Sequence, residues 1–334
     1  MFRRHRQKRY TKLPFVIFRT ILSLSIFAAL IFGGYNAFKQ FSGLDLIKLD
    51  FKKDLPTTAA TFLSELLIHQ KARVIGTNPG EQDPADRSDQ VLKPTKKAPL
   101  SFKFLLVADS HNENENLKKA LTSPEVAFAI GLGDYTDVGT IAELQAAKKI
   151  FDAANLRYFV TAGDHDLWNS RDKGEDPTTN FVKVFGSPFQ SFSYKNARFL
   201  IIYNSDNYLG VGDSQRNWLN EENARIKKEP GTELVLAFLH EPLYHPSSIR
   251  GMGKVEPKLG TQAKEITKLL KDNGVKEIFA GDIHYLTIYT EPDSGMPMTT
   301  VGALTVVRNA QNPRYAVVSV YEDGNYDVED IEVK

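Results

Sequence analysis

Phe104-Leu105-Leu106-Val107-Ala108-Asp109-Ser110-His111 is the stretch on which the fold turns. Four large apolar residues in succession predict a strand buried on both faces, because a half-exposed strand alternates apolar with polar residues. The run ends in an Asp and a His two residues apart. They stand where an α/β sheet opens its binding crevice, beyond the carboxyl end of a strand. Held there, a carboxylate oxygen and an imidazole nitrogen can face one point, a donor pair suited to a divalent transition metal. Asp-x-His triplets are common by chance, so the remaining ligands must come from elsewhere in the chain.

Strands and helices alternate after this opening. Glu113–Leu121 reads as a helix, Val126–Leu132 as a strand, Ile141–Ala154 as a helix and Arg157–Ala162 as a strand. That βαβαβ rhythm predicts a largely parallel sheet with helices outside it. Further strands are expected at Phe192–Tyr194, Arg198–Tyr203, Glu233–Leu239 and Lys276–Ala280, with helices at Ser214–Lys227 and Gln262–Lys271. The tail from Tyr285 onward holds short alternating strands and no helix, which predicts a second, mainly antiparallel sheet. The expected fold class is α/β, a four-layer α/β/β/α sandwich of two mixed β-sheets flanked by helices, over residues 101–334.

The chain has 334 residues, 42% apolar and 25% charged, enough for a sizeable core. It has no cysteine, which excludes disulfides, Cys-ligated zinc and thiol catalysis. The net charge of +1 hides an asymmetry: residues 1–40 hold eight of the 42 basic residues and no acid, leaving 34 basic against 41 acidic residues, a formal −7. So acidic a body argues against nucleic acid as a partner. Residues 1–13 form a basic head, and no charge occurs from Thr20 to Phe38. We read residues 14–38 as a transmembrane signal anchor in the cell membrane, because the charge-free span approaches the roughly 20 residues a spanning helix needs. Basic flanks stay cytoplasmic, so the body is expected on the outer, extracytoplasmic side. A cleaved signal peptide and a secreted body form the alternative, although no Ala-x-Ala pattern follows Phe32. Residues 39–100 read as a linker, with one short helix at Thr57–Gln70 and a flexible tether at Gly76–Lys97.

The strand ends carry residues of one chemical kind. They read Gly133-Asp134-Tyr135-Thr136-Asp137, then Gly163-Asp164-His165-Asp166, then His240, then Gly281-Asp282-Ile283-His284. A single Gly-Asp is as well explained by a turn or a helix cap. Five strand ends offering Asp and His are not.

In order and spacing, across about residues 102–290, this set resembles the signature of the calcineurin-like metallophosphoesterases. Gln215 with Trp218-Leu219, and Leu239-His240-Glu241-Pro242-Leu243-Tyr244, resemble further phrases of that family. The resemblance implies two divalent or mixed-valence ions, with a hydroxide between them attacking a phosphomonoester or phosphodiester. It places Asp109, His111, Asp134 and His284 on one ion, and Asp134, Asp164, His240 and Asp282 on the other. Asp164 and Asp282 depart from the family pattern, which has Asn and His there. Oxygen donors favour manganese or iron, with magnesium or zinc as alternatives. Four carboxylates also cancel the charge of two divalent ions, so either ferric iron restores a surplus, or nearby cations help, or the enzyme is slow. Arg250 and Lys254 are the candidate cations, and His245 is a candidate substrate contact. The resemblance makes His165 the residue that assists the leaving oxygen and Asp137 its orienting partner. Trp168 and Tyr135 are read as packing residues that could also stack on substrate. Where phosphoprotein phosphatases carry Arg-Gly, this chain has Val138-Gly139, so a protein phosphatase is not expected. The alternative is a surface binding protein that keeps the fold and holds only one ion.

Overall fold

The computed structural model describes residues 98–122, 125–228 and 231–334. The basic head, the anchor, the short linker helix and the tether lie outside the described residues. Among the described residues, no helix is long and apolar enough to cross a membrane.

The opening strand is β1 (Leu100–Val107), followed by α1 (Asn114–Thr122), β2 (Ala129–Gly131), α2 (Ile141–Ala153) and β3 (Tyr158–Val160). Two short helices, α3 (Trp168–Asp172) and α4 (Thr179–Phe185), precede β4 (Gln190–Tyr194) and β5 (Ala197–Ile201). Then come α5 (Asp213–Ile226), β6 (Leu234–Leu239), α6 (Lys258–Asp272) and β7 (Glu277–Ala280). Four strands end the chain: β8 (Thr287–Thr290), β9 (Pro297–Thr300), β10 (Arg314–Tyr321) and β11 (Tyr326–Glu332). They form a five-stranded sheet ordered β11-β10-β1-β2-β3 and a six-stranded sheet ordered β4-β5-β6-β7-β9-β8. Both are mixed: β1 to β3, and β5, β6, β7 and β9, run parallel, while β10, β11, β4 and β8 pair antiparallel.

Period-two alternation along β1 explains why its second half, Phe104–Val107, is apolar and buried on both faces, while Ser101 and Lys103 lie in its half-buried first half. Phe102, Phe104 and Leu106 face one cluster with Phe128, Ile130, Phe199, Leu236, Phe238 and Phe279, between the two sheets. Leu105 and Val107 face another, against Leu117 of α1 and Leu144, Ala147 and Phe151 of α2. On the far side of the six-stranded sheet, Leu200, Val235, Ala237 and Leu239 pack on Leu219 of α5 and Leu259, Ala263, Ile266 and Leu270 of α6. The four layers are therefore helix, sheet, sheet, helix. At their centre Phe104 stacks on Phe128 at 5.4 Å and meets the edge of Phe199 at 5.3 Å. Phe104→Ala is expected to cost about 3–5 kcal/mol, because the void lies between two sheets that cannot both close on it; chemical denaturation measures it.

The tail corrects the sequence reading. It does not build a sheet of its own. The β8–β9 hairpin extends the six-stranded sheet beside β7, and β10–β11 extends the five-stranded sheet beside β1. The cause is edge pairing: without β10, β1 would expose a row of unpaired backbone groups beside the core. Helices α3 and α4 were also not anticipated. Trp168–Asp172 is too short and polar for a helical period, and α4 is fixed by Phe185 packing on Tyr135 and Phe151. Helix α6 starts at Lys258, just after Pro257, whose restricted φ favours a helix start.

Candidate metal centre

The loops leaving β1, β2, β3, β6 and β7 converge beyond the carboxyl ends of the strands. Donor atoms of Asp109, His111 and His284 lie within 4.8 Å of one another, as do those of Asp109, Asp134 and His240. So do those of Asp164, His240 and Asp282, and those of His111, Asp134 and His165. All seven residues read as ligands are thus gathered, the two departures included.

The backbone is bent to bring them there. Asp109, His111, Asn112, Asp134, Asp282 and His284 all have φ between 40° and 69°, the left-handed region that non-glycine residues avoid. Such conformations persist only where the surroundings over-determine them. Here the loop after β1 keeps bonding to the loop after β2 beyond the sheet: Asp109, His111 and Asn112 donate their N–H groups to the carbonyls of Gly133, Asp134 and Tyr135, each at 3.0 Å. Gly163 serves close approach rather than a turn, since a Cβ there would lie 2.0 Å from Asp134 Oδ1. Asp166 locks the second and third loops together. Its Oδ1 accepts from the Thr136 hydroxyl at 2.8 Å and its Oδ2 from Gly163 N–H at 2.9 Å.

Imidazole orientation is set from behind. His240 Nδ1 donates to the Leu132 carbonyl at 2.8 Å and His284 Nδ1 to the Arg308 carbonyl at 3.2 Å, so each Nε2 keeps a free lone pair. His240 Nε2 lies 3.6 Å from both Asp134 Oδ1 and Asp164 Oδ1, and His111 Nε2 lies 3.5 Å from Asp134 Oδ2. The Nε2 atoms of His111 and His240 are buried without a hydrogen-bond partner. Buried polar atoms are rarely left so unless a ligand completes them. With four carboxylates converging on the same point, the donors fit a pair of hard or borderline divalent ions.

Burial and crowding displace the titrations of this cluster. Asp109 is raised to about 7, foremost by burial and further by the Asp282 charge. Burial also raises Asp134 well above its usual range. Burial works against the charged forms of Asp164 and His240. Even so, the nearby imidazoles, His240 first, pull Asp164 down to about 2, and the surrounding carboxylates, Asp134 first, hold His240 well above its usual value. Burial and neighbouring imidazoles lower His111 to about 3, and burial with Arg250 lowers His284 to about 4. Loading an ion here therefore expels protons.

The other expected residues fall into three groups. His165 borders the cluster. Its Nδ1 donates to the Asp137 backbone carbonyl at 2.7 Å, and its ring stacks on Trp168 at 3.8 Å. Asp137 thus reaches His165 through its main chain, while its carboxylate accepts from Asn112 at 2.8 Å and lies 3.9 Å from His111 Nδ1. Arg250 stands at the mouth, 3.6 Å from Asp282 Oδ1, and Lys254 is in the same wall. His245 does not reach the cluster. It is packed against Tyr285 and Tyr289 and lines a separate cavity of about 580 Å³ that shares only Gly251 and Lys254 with the metal site. It stands five residues after His240 on an irregular loop that carries it away from the donors. Tyr135 is buried packing, its hydroxyl accepting from Gly133 N–H at 3.1 Å.

Among the wall residues given no role by the sequence are Asn207, which donates to Asp164 at 3.3 Å, Arg308, and Glu241, noted only within the phrase that follows His240. None belongs to a repeated strand-end pattern. Glu241 Oε2 is buried without a partner, and burial, then the Asp282 charge, pushes the carboxyl up from 4.5 to about 8. In the metal-free protein the unfolded chain releases this proton near pH 4.5 and the folded chain near 8, so its contribution to stability falls as pH rises between them. Glu241→Gln, which does not titrate, is expected to match the wild type at pH 5 and to exceed it by up to roughly 4 kcal/mol at pH 9, read by thermal melts without metal.

A two-sheet sandwich with acidic and imidazole donors at its strand ends defines a metallophosphoesterase fold. The model of the calcineurin-like phosphoesterases matches residues 102–286, more than half of the chain, and the chain belongs to that family. Purple acid phosphatase PPD1 from yellow lupin (Lupinus luteus) seeds matches with a TM-score of 0.52 at 13% identity, over 70% of this chain and 51% of that one. GAP50, the anchor in the inner membrane complex of Plasmodium, gives 0.49 at 13% identity over 71% and 86%. At such identities the likeness is one of fold. No curated protein sequence matches the chain.

Proposed function

We propose that this chain is a metal-dependent phosphoesterase acting on a phosphomonoester or phosphodiester. The observation that carries the reading is the convergence of five strand-end loops on buried imidazole nitrogens that lack a protein partner. Asp109, His111, Asp134 and His284 would hold one ion, and Asp134, Asp164, His240 and Asp282 the other. When bound, such a pair supplies positive charge to phosphoryl oxygens and acidity to a water nucleophile.

The chain's own groups complete the chemistry. With Nδ1 committed to the Asp137 carbonyl, His165 has Nε2 free to hold or deliver a proton at the leaving oxygen. Trp168 fixes the plane of that ring. Arg250, beside Asp282, offsets one of the four carboxylates and keeps the mouth attractive to an anion.

The purified chain, loaded with manganese or iron, is expected to hydrolyse p-nitrophenyl phosphate or its bis ester, with loss on chelation and recovery on readdition. Absence of turnover with any metal would overturn the reading. Elemental analysis is expected to find two ions per chain. One ion, with Asp164 and Asp282 unused, would favour the binding-protein alternative.

A further inference from the structure

Nine large apolar side chains are exposed among the described residues, and six of them stand on three loops that also wall the metal site. Tyr208 and Leu209 follow the wall residue Asn207, and Val306 and Val307 precede the wall residue Arg308. Ile249 and Val255 are themselves in the wall. Ile249 is 88% exposed and Leu209 69%. Single exposed apolar residues are ordinary on any protein. Six on three loops that border one opening exceed such scatter and call for a partner.

The chemistry of the opening is layered. Deepest are the metal donors, where a phosphoryl group would sit. Arg250, Lys254 and Arg308 line the wall of the same opening; its rim carries the exposed Ile249 and Val255, with the other four apolar residues one or two positions along the chain from the wall residues Asn207 and Arg308. A sugar or nucleoside phosphate would bring polar groups to that rim and leave it wet. A lipid phosphate presents the matching order, with the phosphate followed by hydrocarbon, and anionic headgroups around it attract Lys and Arg. The adjoining cavity, with Leu243, Tyr244 and Met252 in its wall, offers further apolar surface behind the Gly251–Lys254 segment.

We propose that the substrate is the phosphoester of a lipid alcohol held in a bilayer, and that the three loops rest in the headgroup region around it. This rests on the phosphoesterase reading for its chemistry, but the surface contact can be tested without turnover. Because the chain has no cysteine, Leu209→Cys in the full chain can carry a single polarity-sensitive fluorophore. Val182→Cys on α4, exposed but off the three loops, is the control, since attachment through any other part of the chain would act on both labels alike. In vesicles of phosphatidylcholine containing phosphatidate, the label at 209 is expected to shift to the blue and the label at 182 to stay unshifted. Equal responses at both sites would overturn the surface contact.

The kinetic arm uses Leu209→Ser with Val307→Ser, neither of which lines the site. Hydrolysis of phosphatidate in vesicles is expected to fall about tenfold or more, with p-nitrophenyl phosphate turnover unchanged. Equal rates on phosphatidate would overturn the substrate class. Loss on a monomeric short-chain phosphatidate, without a response of the label, would assign the rim to a soluble ligand and also overturn the proposal. A wild type inactive on every phosphoester would remove the phosphoesterase reading and the substrate class with it, while the label still decides the surface.

Discussion

His165→Ala is expected to slow hydrolysis of an alkyl phosphoester by about 10²- to 10⁴-fold, the range of a positioned proton donor, while leaving the bound metal unchanged. The ring is held on two sides, by the Asp137 carbonyl at Nδ1 and by the Trp168 face, so Nε2 has one fixed direction. It also meets the edge of His111 at 4.6 Å, close enough to the ligands for metal content to separate two roles. If His165 delivers a proton, the loss is large for a poor leaving group and small for p-nitrophenolate, which leaves without one. Equal losses on both esters, or a fall in metal content, would show that it acts as a ligand instead.

Asp134→Asn is expected to reduce the metal held per chain and to lower turnover more than about 100-fold, beyond what loss of a merely supporting partner costs. The two carboxylate oxygens are divided between the two halves of the site: Oδ2 faces His111 at 3.5 Å, Oδ1 faces His240 at 3.6 Å. Oδ1 also accepts the backbone N–H of His165 at 3.0 Å, tying the third loop to the second. Asparagine keeps the shape but turns one oxygen into an NH₂ group, which meets an imidazole lone pair where an ion should lie. Full activity in this variant would dismantle the assignment of the site. Unchanged far-ultraviolet circular dichroism would separate the effect from misfolding.

The parts of the molecule legible in the sequence are those where one physical demand acts on several consecutive residues. A segment buried on both faces tends to be apolar in succession, so Phe104–Val107 of β1, all of β6 and Ile278–Ala280 of β7 stand out, and the donors stand out because they follow such segments. What escaped depends on contacts distant in sequence. The pairing of β10 with β1 is written in neither strand alone, since either could have made a sheet elsewhere. Asp137 was found as a residue but not as a carbonyl, because side-chain identity says nothing of main-chain hydrogen bonds. Asn207 and Arg308 sit on irregular loops, where placement comes from packing rather than from period. His245, close to His240 in sequence, lies in the neighbouring cavity and not among the donors.

The place of β10 bears on how the molecule is made. Strand β1, which carries Asp109 and His111, is bordered on one side by β2 and on the other by Arg314–Tyr321, more than two hundred residues later. Every donor of the site has been synthesised once His284 is added, yet the strand that aims the first two is still half unpaired. Such distant pairing slows folding and leaves an apolar edge open while the chain waits. A chain that stops short of residue 314 would hold all the ligands but pair β1 on one side alone. The last twenty residues, which contribute no chemistry, decide when the site can first exist.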